Sequence, residues 1–422
     1  MGRKARGRRD LPHPKPVEKI QLSGENFGRR AVLALVLLVC GVSALVYTFV
    51  NLFAPQKGWQ TIAANSSAGP TCADELVFLY DVGGGGQSPS VEGREVTALY
   101  SDACRKLFQL FHTMESFEGV VNLREINLHP NETLTVDAAL YRAFEQVERS
   151  GDRTIYLGPV YARYQDLFYC QDDSQLMDFD PWLSEAVRQE YGAIAAYARD
   201  PEAVSVSLLG NNQVCLRVSD EYLSYARREG IQRFLDFGWL KNAFVVDYLA
   251  DLLTEKGYTN GSISSYDGFS RNLDSRGLSY ALNVYDYVDG TVYQAGVMEY
   301  QGPISIVSLR GYAASEADRL RIYELRNGER RTAYLSPVDG RCRNAVDDLA
   351  CYSRTAGCGE IALRAAPIYV ADTLDVPALE ALSDGGIESI RCENRVIHGT
   401  DPGLALSGLY EKDGVRYTVS VN

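Results

Sequence analysis

The chain has 422 residues, of which 46% are hydrophobic and 23% charged, so it can bury a large core. It holds 42 Lys/Arg and 55 Asp/Glu. Nine of the basic and three of the acidic residues fall in residues 1–30, which leaves 33 against 52 in residues 31–422. Because binding to a nucleic acid requires a basic face, this acidic excess argues against a nucleic-acid-binding protein.

A basic tail and an apolar segment open the chain. Residues 31–53, AVLALVLLVCGVSALVYTFVNLF, contain no charged residue, and a helix of this length spans a hydrocarbon core of about 30 Å. We therefore predict a single-pass cell-membrane protein with residues 1–30 in the cytoplasm and the main domain extracytoplasmic. A cleaved signal peptide would have a shorter apolar run. Lipid attachment at Cys40 would favour a small residue before it, where Val39 stands.

The residues after the apolar segment are small and polar. We predict a linker at residues 54–75 and one extracytoplasmic domain at residues 76–422. The eight cysteines beyond the predicted membrane helix are even in number, which permits disulfides in an oxidising compartment without revealing their pairing. There is no Cys-x-x-Cys and there are only four histidines, so no spacing typical of a zinc site occurs.

The first predicted strand, ELVFLYDV, precedes the four-glycine loop Gly83–Gly86. A phosphate-binding loop would continue with Gly-Lys-Ser/Thr, so we interpret this loop as a flexible connection. Periodicity and capping predict helices at residues 95–113, from Asp137 as N-cap, and at 181–197, 222–229, 240–256, 359–371 and 375–386. Strands are predicted around the turn at 210–212, within 261–335 and at the C-terminus. Helices and strands mix without strict βαβ alternation, which favours an α+β fold.

Residues 235–257, LDFGWLKNAFVVDYLADLLTEKG, combine a strand end, an Asp-x-Gly turn and an amphipathic helix that ends at Gly257. Backbone N–H groups at the start of a helix suit an anionic ligand. The same residues also fit a well-capped helix, in which Asp236 accepts nearby N–H groups and Gly238 adopts an unusual dihedral angle. The segment taken alone leaves both interpretations open.

The order of motifs resembles the FAD:protein FMN transferase family (ApbE type). Residues 236–247 correspond to the family's Asp-Leu-Gly-Gly-Ile-Ala-Lys-Gly-Tyr-Ala-Val-Asp, and the resemblance covers most of residues 95–400. Other stretches that resemble family motifs are NLREIN ending at Asn127, SGDRTIYLGPVY at 150–161, SISSYDGFSRN with Asp267, IVSLRGYAA with Ser308 and Tyr312, AYLSPVDG with Pro337 and Gly340, and CGEIALRAA with Glu360. The order and spacing are specific, whereas each single motif is weak.

The resemblance implies a two-lobed α+β domain with a cleft between a helical lobe (about 95–200) and a sheet-rich lobe (about 201–422). It also implies a Mg²⁺-dependent enzyme that transfers FMN from FAD to a Ser or Thr of an acceptor protein and releases AMP. Family members are extracytoplasmic and often membrane-anchored, in agreement with the apolar segment. The resemblance implies that Glu360 binds Mg²⁺. It implies that FAD is bound by Asn127, Asp236, Gly238, Asn242, Asp267 and Tyr312.

Several positions depart from the family pattern where the chemistry would occur. The family's His and Asp are Ala333 and Ser336 here, and its Lys is Asn242, with Lys241 beside it. Trp239 replaces a glycine, so its indole would take up ligand space unless it stacks on a ring.

Glu360 and Arg364 lie four residues apart on a predicted helix and face the same side. Three interpretations follow: a structural ion pair, an Arg364 that neutralises a phosphate without metal, or a Glu360 that still binds Mg²⁺. The sequence is compatible with two functions. One is an FMN transferase with an altered active site. The other is a catalytically lapsed flavin-binding or protein-interaction module.

Overall fold

The computed structural model describes residues 42–43, 57–84, 86, 88–412 and 414–421. The basic tail and, apart from residues 42–43, the predicted membrane helix at residues 31–53 lie outside the described residues. Within the part of the chain that the structure describes, no helix has both the length and the apolar character needed to cross a membrane.

Nine α-helices lie between residues 57 and 421, and four of them follow the predicted bounds closely. The carboxylate of Asp137 caps α3 by accepting a hydrogen bond from the Ala139 N–H at 2.8 Å. The helices are α1 (Pro89–Leu110), α2 (Leu123–Leu128), α3 (Ala138–Ser150), α4 (Gly158–Tyr164), α5 (Glu185–Arg199), α6 (Asp220–Glu229), α7 (Lys241–Glu255), α8 (Cys358–Tyr369) and α9 (Val376–Asp384).

Helix α1 begins six residues before its predicted start. Its first two turns contain the buried Glu92, whose carboxylate accepts hydrogen bonds from the Tyr80 hydroxyl at 2.8 Å and the Gly83 N–H at 2.6 Å. The helix was predicted from the repeat of its apolar residues, and a buried carboxylate is not part of such a repeat. The predicted start of the helix was therefore too late.

The strands between residues 57 and 421 form one large sheet and four small ones. They are β1 (Gly58–Thr61), β2 (Leu76–Val82), β3 (Thr133–Thr135), β4 (Val204–Gly210), β5 (Gln213–Val218), β6 (Gly261–Ser265), β7 (Phe269–Asn272), β8 (Ser279–Val288), β9 (Thr291–Gln301), β10 (Ile304–Arg310), β11 (Ile322–Glu324), β12 (Arg330–Thr332), β13 (Asp348–Ser353), β14 (Glu388–Glu393), β15 (Val396–Gly399), β16 (Leu406–Ser407), β17 (Glu411–Lys412), β18 (Val415–Arg416) and β19 (Thr418–Val421). The last of the strands predicted within residues 261–335 is β12, which ends at Thr332.

The large sheet has nine strands in the order β1-β2-β6-β7-β10-β13-β14-β15-β19. Its neighbouring strands are antiparallel except β15 and β19. Helices α7 and α8 pack against each other and against β6, β7, β10 and β13, which places the main apolar core between these helices and the sheet. A second, smaller core lies where β8 packs on β13 and β14. The predicted α+β class is confirmed.

The predicted linker at residues 54–75 contains part of the folded domain. Strand β1 pairs with β2 in antiparallel register, from Gly58 opposite Val82 to Thr61 opposite Leu79. A 3₁₀ helix at Cys72–Glu75 then packs against α1. The domain therefore begins before residue 76. A composition of small polar residues does not exclude strand pairing, because the pairing partner is supplied by the later residues of β2.

Candidate functional site

Asn127 fixes the chain that leads into the Asp-x-Gly turn. Its Oδ1 atom accepts hydrogen bonds from the N–H groups of Phe234 at 2.9 Å and Leu235 at 2.8 Å, and its Nδ2 atom donates to the Leu235 carbonyl at 2.9 Å. Asn127 is buried at the end of α2. It thus ties two segments together across more than one hundred residues, and its amide is fully used by the backbone.

We expect Asn127→Ala to lower the free energy of unfolding by about 2–3 kcal/mol, because two buried N–H groups and a carbonyl lose their partner. Urea denaturation measures the change. Asn283→Ala, at an exposed position of β8, is the matched control and should change stability by less than about 0.5 kcal/mol. An equal, small effect of both variants would contradict the bracing role of Asn127.

The turn itself uses the side chain of Asp236 internally. The Oδ1 atom of Asp236 accepts a hydrogen bond from the Gly238 N–H at 2.8 Å, and its Oδ2 atom pairs with Arg233 at 3.1 Å. Gly238 has φ = +51°, and a Cβ atom there would lie 2.4 Å from the ring of Tyr161. Glycine is therefore required both by the backbone conformation and by the close approach of this ring.

A cavity of about 670 Å³ opens beside this turn, a size that suits a small ligand or a cofactor. Aromatic rings form much of its wall: Phe111, His112, Tyr161, Tyr164, Phe168, Trp239, Tyr266 and Tyr334. The indole of Trp239 packs edge-on against Tyr334, with ring centres 5.1 Å apart. It therefore forms part of the wall and leaves the cavity open.

Polar side chains converge at one end of this cavity. The Nζ atom of Lys241 lies 2.6 and 2.7 Å from the two carboxylate oxygens of Glu75. The Nδ2 atom of Asn242 donates to Glu75 and to the Oδ2 atom of Asp267, each at 2.9 Å. Burial alone would lower the pKa of Lys241, but the charges of Glu75 and Asp267 raise it above its usual value.

Arg321 supplies the second cation of the cavity. It forms an ion pair with the buried Asp318 and donates to the Tyr266 carbonyl at 2.9 Å. Burial raises the pKa of Asp267, although the charge of Arg321 partly opposes this shift. Asp267 is therefore a desolvated carboxylate next to two cations that already have partners.

Four buried polar atoms of residues that line the cavity have no hydrogen-bond partner among the described residues: Tyr161 OH, Trp239 Nε1, Asn242 Oδ1 and Asp267 Oδ1. Burial raises the pKa of Tyr161, and the nearby indole N–H of Trp239 opposes this shift only in part. These two groups are neighbours without reaching hydrogen-bond geometry. Buried polar atoms are nearly always paired in native proteins, and four of those that lack a partner here belong to residues of one cavity.

The structure brings Asp236, Gly238, Asn242 and Asp267 to this cavity, but it does not bring Tyr312 there. The buried hydroxyl of Tyr312 donates to Asp348 at 2.8 Å, and its ring stacks on Tyr287 of β8. The match at Tyr312 rested on residue type and order, which do not determine the direction of the side chain.

Glu360 and Arg364 also lie outside the main cavity. They line a smaller cavity of about 190 Å³ together with residues of α3, and their closest atoms are 3.7 Å apart. The start of α8 is held instead by Asp247, which accepts hydrogen bonds from the N–H groups of Cys358 and Gly359, both at 2.8 Å. Glu360 consequently faces solvent, with 56% of its side chain exposed. This geometry agrees with a loose ion pair, and a phosphate at Arg364 or Mg²⁺ at Glu360 stays a prediction.

Three charged residues of the cavity, Asp74, Glu75 and Arg321, were not identified from the sequence. Asp74 and Glu75 stand at the end of the predicted linker, and Arg321 follows a 3₁₀ helix at Glu316–Leu320. None of them lies in a motif, and they reach the cavity from segments distant along the chain. All eight cysteines from Cys72 onward are free thiols. The described residues contain no cluster of three or more His, Cys, Asp or Glu arranged to hold a metal ion.

No protein-family model matches this sequence, and no curated protein matches it either. The fold is nevertheless similar to solved structures. The ApbE protein of Thermotoga maritima matches over 83% of this chain and 96% of its own, with a TM-score of 0.53 and 13% sequence identity. The flavin transferase ApbE from Vibrio cholerae matches over 81% of this chain and 94% of its own, with a TM-score of 0.51 and 16% identity. The chain thus has an ApbE-like fold, as the order of its motifs predicted.

Proposed function

We propose, from this shared fold and from the cavity, that the protein binds a flavin dinucleotide, FAD, together with Mg²⁺. The observation that carries the proposal is the group of four unpaired buried polar atoms on a single aromatic cavity. Each such atom costs about 1–3 kcal/mol when it has no partner. A ligand that reaches them after a small shift of the cavity wall recovers this free energy, and a flavin offers both a planar ring and many hydrogen-bonding atoms.

The aromatic wall supports a planar ligand. Tyr161, Phe168 and Trp239 present rings to the same space, and stacked or edge-on contacts between rings add to the free energy of burial. The N–H of Trp239 and the hydroxyl of Tyr161 have no partner among the described residues, and a shift of the wall on binding would let them bond to polar atoms at the edge of such a ring. A purely aliphatic ligand would leave these groups unpaired.

The donor set of the cavity also fits Mg²⁺, although at residues other than Glu360. Asp267 and Asn242 each offer one free oxygen, and Mg²⁺ commonly takes one or two protein oxygens and completes its shell with water and phosphate oxygens. Four carboxylates line the cavity against the two cations Lys241 and Arg321. A diphosphate would therefore enter a negatively charged site, which a divalent cation makes favourable. When bound, Mg²⁺ would neutralise charge on the diphosphate.

A second candidate function is the transfer of FMN from FAD to a Ser or Thr of an acceptor protein. The similar Vibrio cholerae protein is a flavin transferase, which supports this activity at the level of the fold. Two positions of the cavity wall offer no proton acceptor for it. Ala333 stands in its wall, and the Nδ1 atom of His112 accepts hydrogen bonds from the N–H groups of Met114 and Glu115. The remaining ring nitrogen of a neutral His112 carries the proton, so it is a donor. Flavin binding without transfer is the simpler outcome.

We also propose that the domain is anchored by residues 31–53 and lies outside the cytoplasm. The support is the run of 23 uncharged residues after a basic tail. In that setting, an acceptor protein would meet the cavity on the outer side of the membrane.

Titration of the full-length protein with FAD tests the main proposal. We expect quenching of flavin fluorescence in the presence of Mg²⁺, and an affinity at least about tenfold lower after addition of EDTA, since tenfold corresponds to only 1.4 kcal/mol. Release of AMP in the same samples, with candidate acceptor proteins present, tests the transfer. The absence of FAD binding with saturating Mg²⁺ would overturn the proposal, whereas binding without AMP would leave the binding function alone.

A further inference from the structure

A carboxylate from the segment before β2 occupies the polar end of the cavity. Glu75 contacts both Lys241 and Asn242, at 2.6–2.9 Å. These are the first two residues of α7, a helix of 15 residues that begins without a side-chain cap. The start of a helix attracts negative charge through its dipole, although the N–H group of Lys241 itself donates to the Gly238 carbonyl of a preceding 3₁₀ turn. Glu75 thus sits where the fold would place the phosphate of a ligand.

We propose that Glu75 is an internal counter-ion that the phosphate of a bound nucleotide displaces from Lys241 and Asn242. This inference rests on the proposed function, because it assigns the phosphate end of the flavin ligand. In the free protein the carboxylate of Glu75 neutralises Lys241. In the complex a phosphate group takes over the Lys241 ammonium and the Asn242 N–H, and the Glu75 side chain turns toward solvent.

The geometry makes this exchange easy. The side chains of Glu75 and Lys241 are 42% and 29% exposed, and ion pairs of partly exposed side chains contribute little net stability. Glu75 can therefore be released at small cost. A phosphate offers more acceptor oxygens and more negative charge than the carboxylate it replaces.

Asp267, the second carboxylate at this end of the cavity, favours the release of Glu75 from Lys241 and Asn242. One amide group, Nδ2 of Asn242, donates to both Glu75 and Asp267, so two negative charges meet at a single neutral donor. Like charges at short distance repel. Removal of Glu75 to solvent relieves this repulsion and leaves Asp267 as the acceptor for Asn242 Nδ2.

The exchange is tested with two ligands that share one ring, FMN and riboflavin, of which only FMN carries a phosphate. We expect Glu75→Gln to tighten FMN binding to the full-length protein up to about fivefold, as the loss of a partly exposed ion pair allows. Riboflavin affinity should change by less than twofold. Asp102→Asn, which removes the same charge from an exposed position of α1 outside the cavity, is the matched control and should change FMN affinity by less than twofold.

A double-mutant cycle adds a readout that a general change in charge would not give. In a Lys241→Gln background, Glu75→Gln should no longer tighten FMN binding, because the cation that both anions share is gone. Equal tightening in both backgrounds would overturn the exchange. Circular dichroism of each variant reports whether it is folded.

The outcomes separate this inference from the proposed function. If the wild-type protein binds FMN but Glu75→Gln does not tighten it, the exchange is overturned and flavin binding stands. If the wild-type protein binds no flavin, the proposed function fails. Calorimetry with inorganic pyrophosphate then tests the exchange alone. Tighter binding to the Glu75→Gln variant than to wild type would support it, and equal binding would overturn it.

Discussion

Replacing Asp267 by Ala should reduce the Mg²⁺-dependent affinity for FAD at least about 100-fold, since even residues that only support a metal ligand affect affinity by 10–100-fold. Asp267 is the carboxylate of the cavity that keeps one buried oxygen without a partner, and it lies next to the free oxygen of Asn242. Its loss removes the charged ligand that the proposed ion requires. Titration with FAD at saturating Mg²⁺, compared with titration in EDTA, measures the change.

Glu360→Gln is the decisive control for this variant. The sequence predicted Glu360 as the Mg²⁺ ligand, whereas the structure places its exposed side chain at a different cavity. We expect Glu360→Gln to change the Mg²⁺-dependent affinity by less than twofold. The reverse result, a strong effect at Glu360 and none at Asp267, would restore the assignment made from the motif and contradict the site described above.

Stability provides an independent readout for Asp267. Burial raises the pKa of this carboxyl group, so its charged form is unfavourable in the free protein. Asp267→Ala should therefore leave the thermal stability of the ligand-free protein unchanged or raise it, while it abolishes the stabilisation by FAD and Mg²⁺. A variant that unfolds more easily and also fails to bind would indicate a structural role instead.

Arg331→Ala should lower the free energy of unfolding by about 3–5 kcal/mol, which is the typical cost of leaving one partner of a buried ion pair alone. Arg331 of β12 donates to Asp180 at 2.6 Å, and the side chains are 5% and 0% exposed. Burial alone would lower the pKa of Arg331, but the charge of Asp180 raises it above the usual value. The pair links the chain between two helical segments to a strand more than one hundred residues later.

Urea denaturation of three variants identifies the cause of this loss. Arg188→Ala removes a partner of an exposed ion pair and should change stability by less than about 1 kcal/mol. The double variant Asp180→Leu/Arg331→Met removes both charges and should recover at least half of the loss, because an unpaired buried charge, rather than a missing attraction, destabilises the single variant. A loss below about 1 kcal/mol for Arg331→Ala would contradict the burial of this pair.

Sequence patterns predicted the elements that are stabilised by contacts between residues close together in the chain. The helix at residues 240–256 was predicted from its apolar face and the glycine after it, and Asp137 was predicted as an N-cap from its position before an apolar run. Both depend on contacts within one or two turns. The start of α1 was missed because Glu92 is buried by a hydrogen bond to Tyr80 of another element, and such a contact leaves no periodic signal.

Some residues of the candidate site were likewise predicted from the sequence, and others were found only in the structure. Asp236, Gly238 and Asn242 belong to one continuous segment, and its resemblance to the family motif implied that they bind a ligand. The structure places all three at the cavity. Asp267 was predicted as a further ligand-binding residue from the order of the motifs. Glu75 reaches the cavity from 166 residues before Lys241, and no motif marks it.

The amino-acid sequence by itself determined the α+β class, most helix positions, the ApbE-like order of motifs and the turn that borders the cavity, because each follows from spacing along the chain. Only the tertiary structure decided which charges share the cavity. It placed Glu360 and Tyr312 elsewhere and brought Glu75 and Arg321 in. The physical reason is that the direction of a side chain depends on packing and capping partners, such as Asp247 at the start of α8, that lie far away in the sequence.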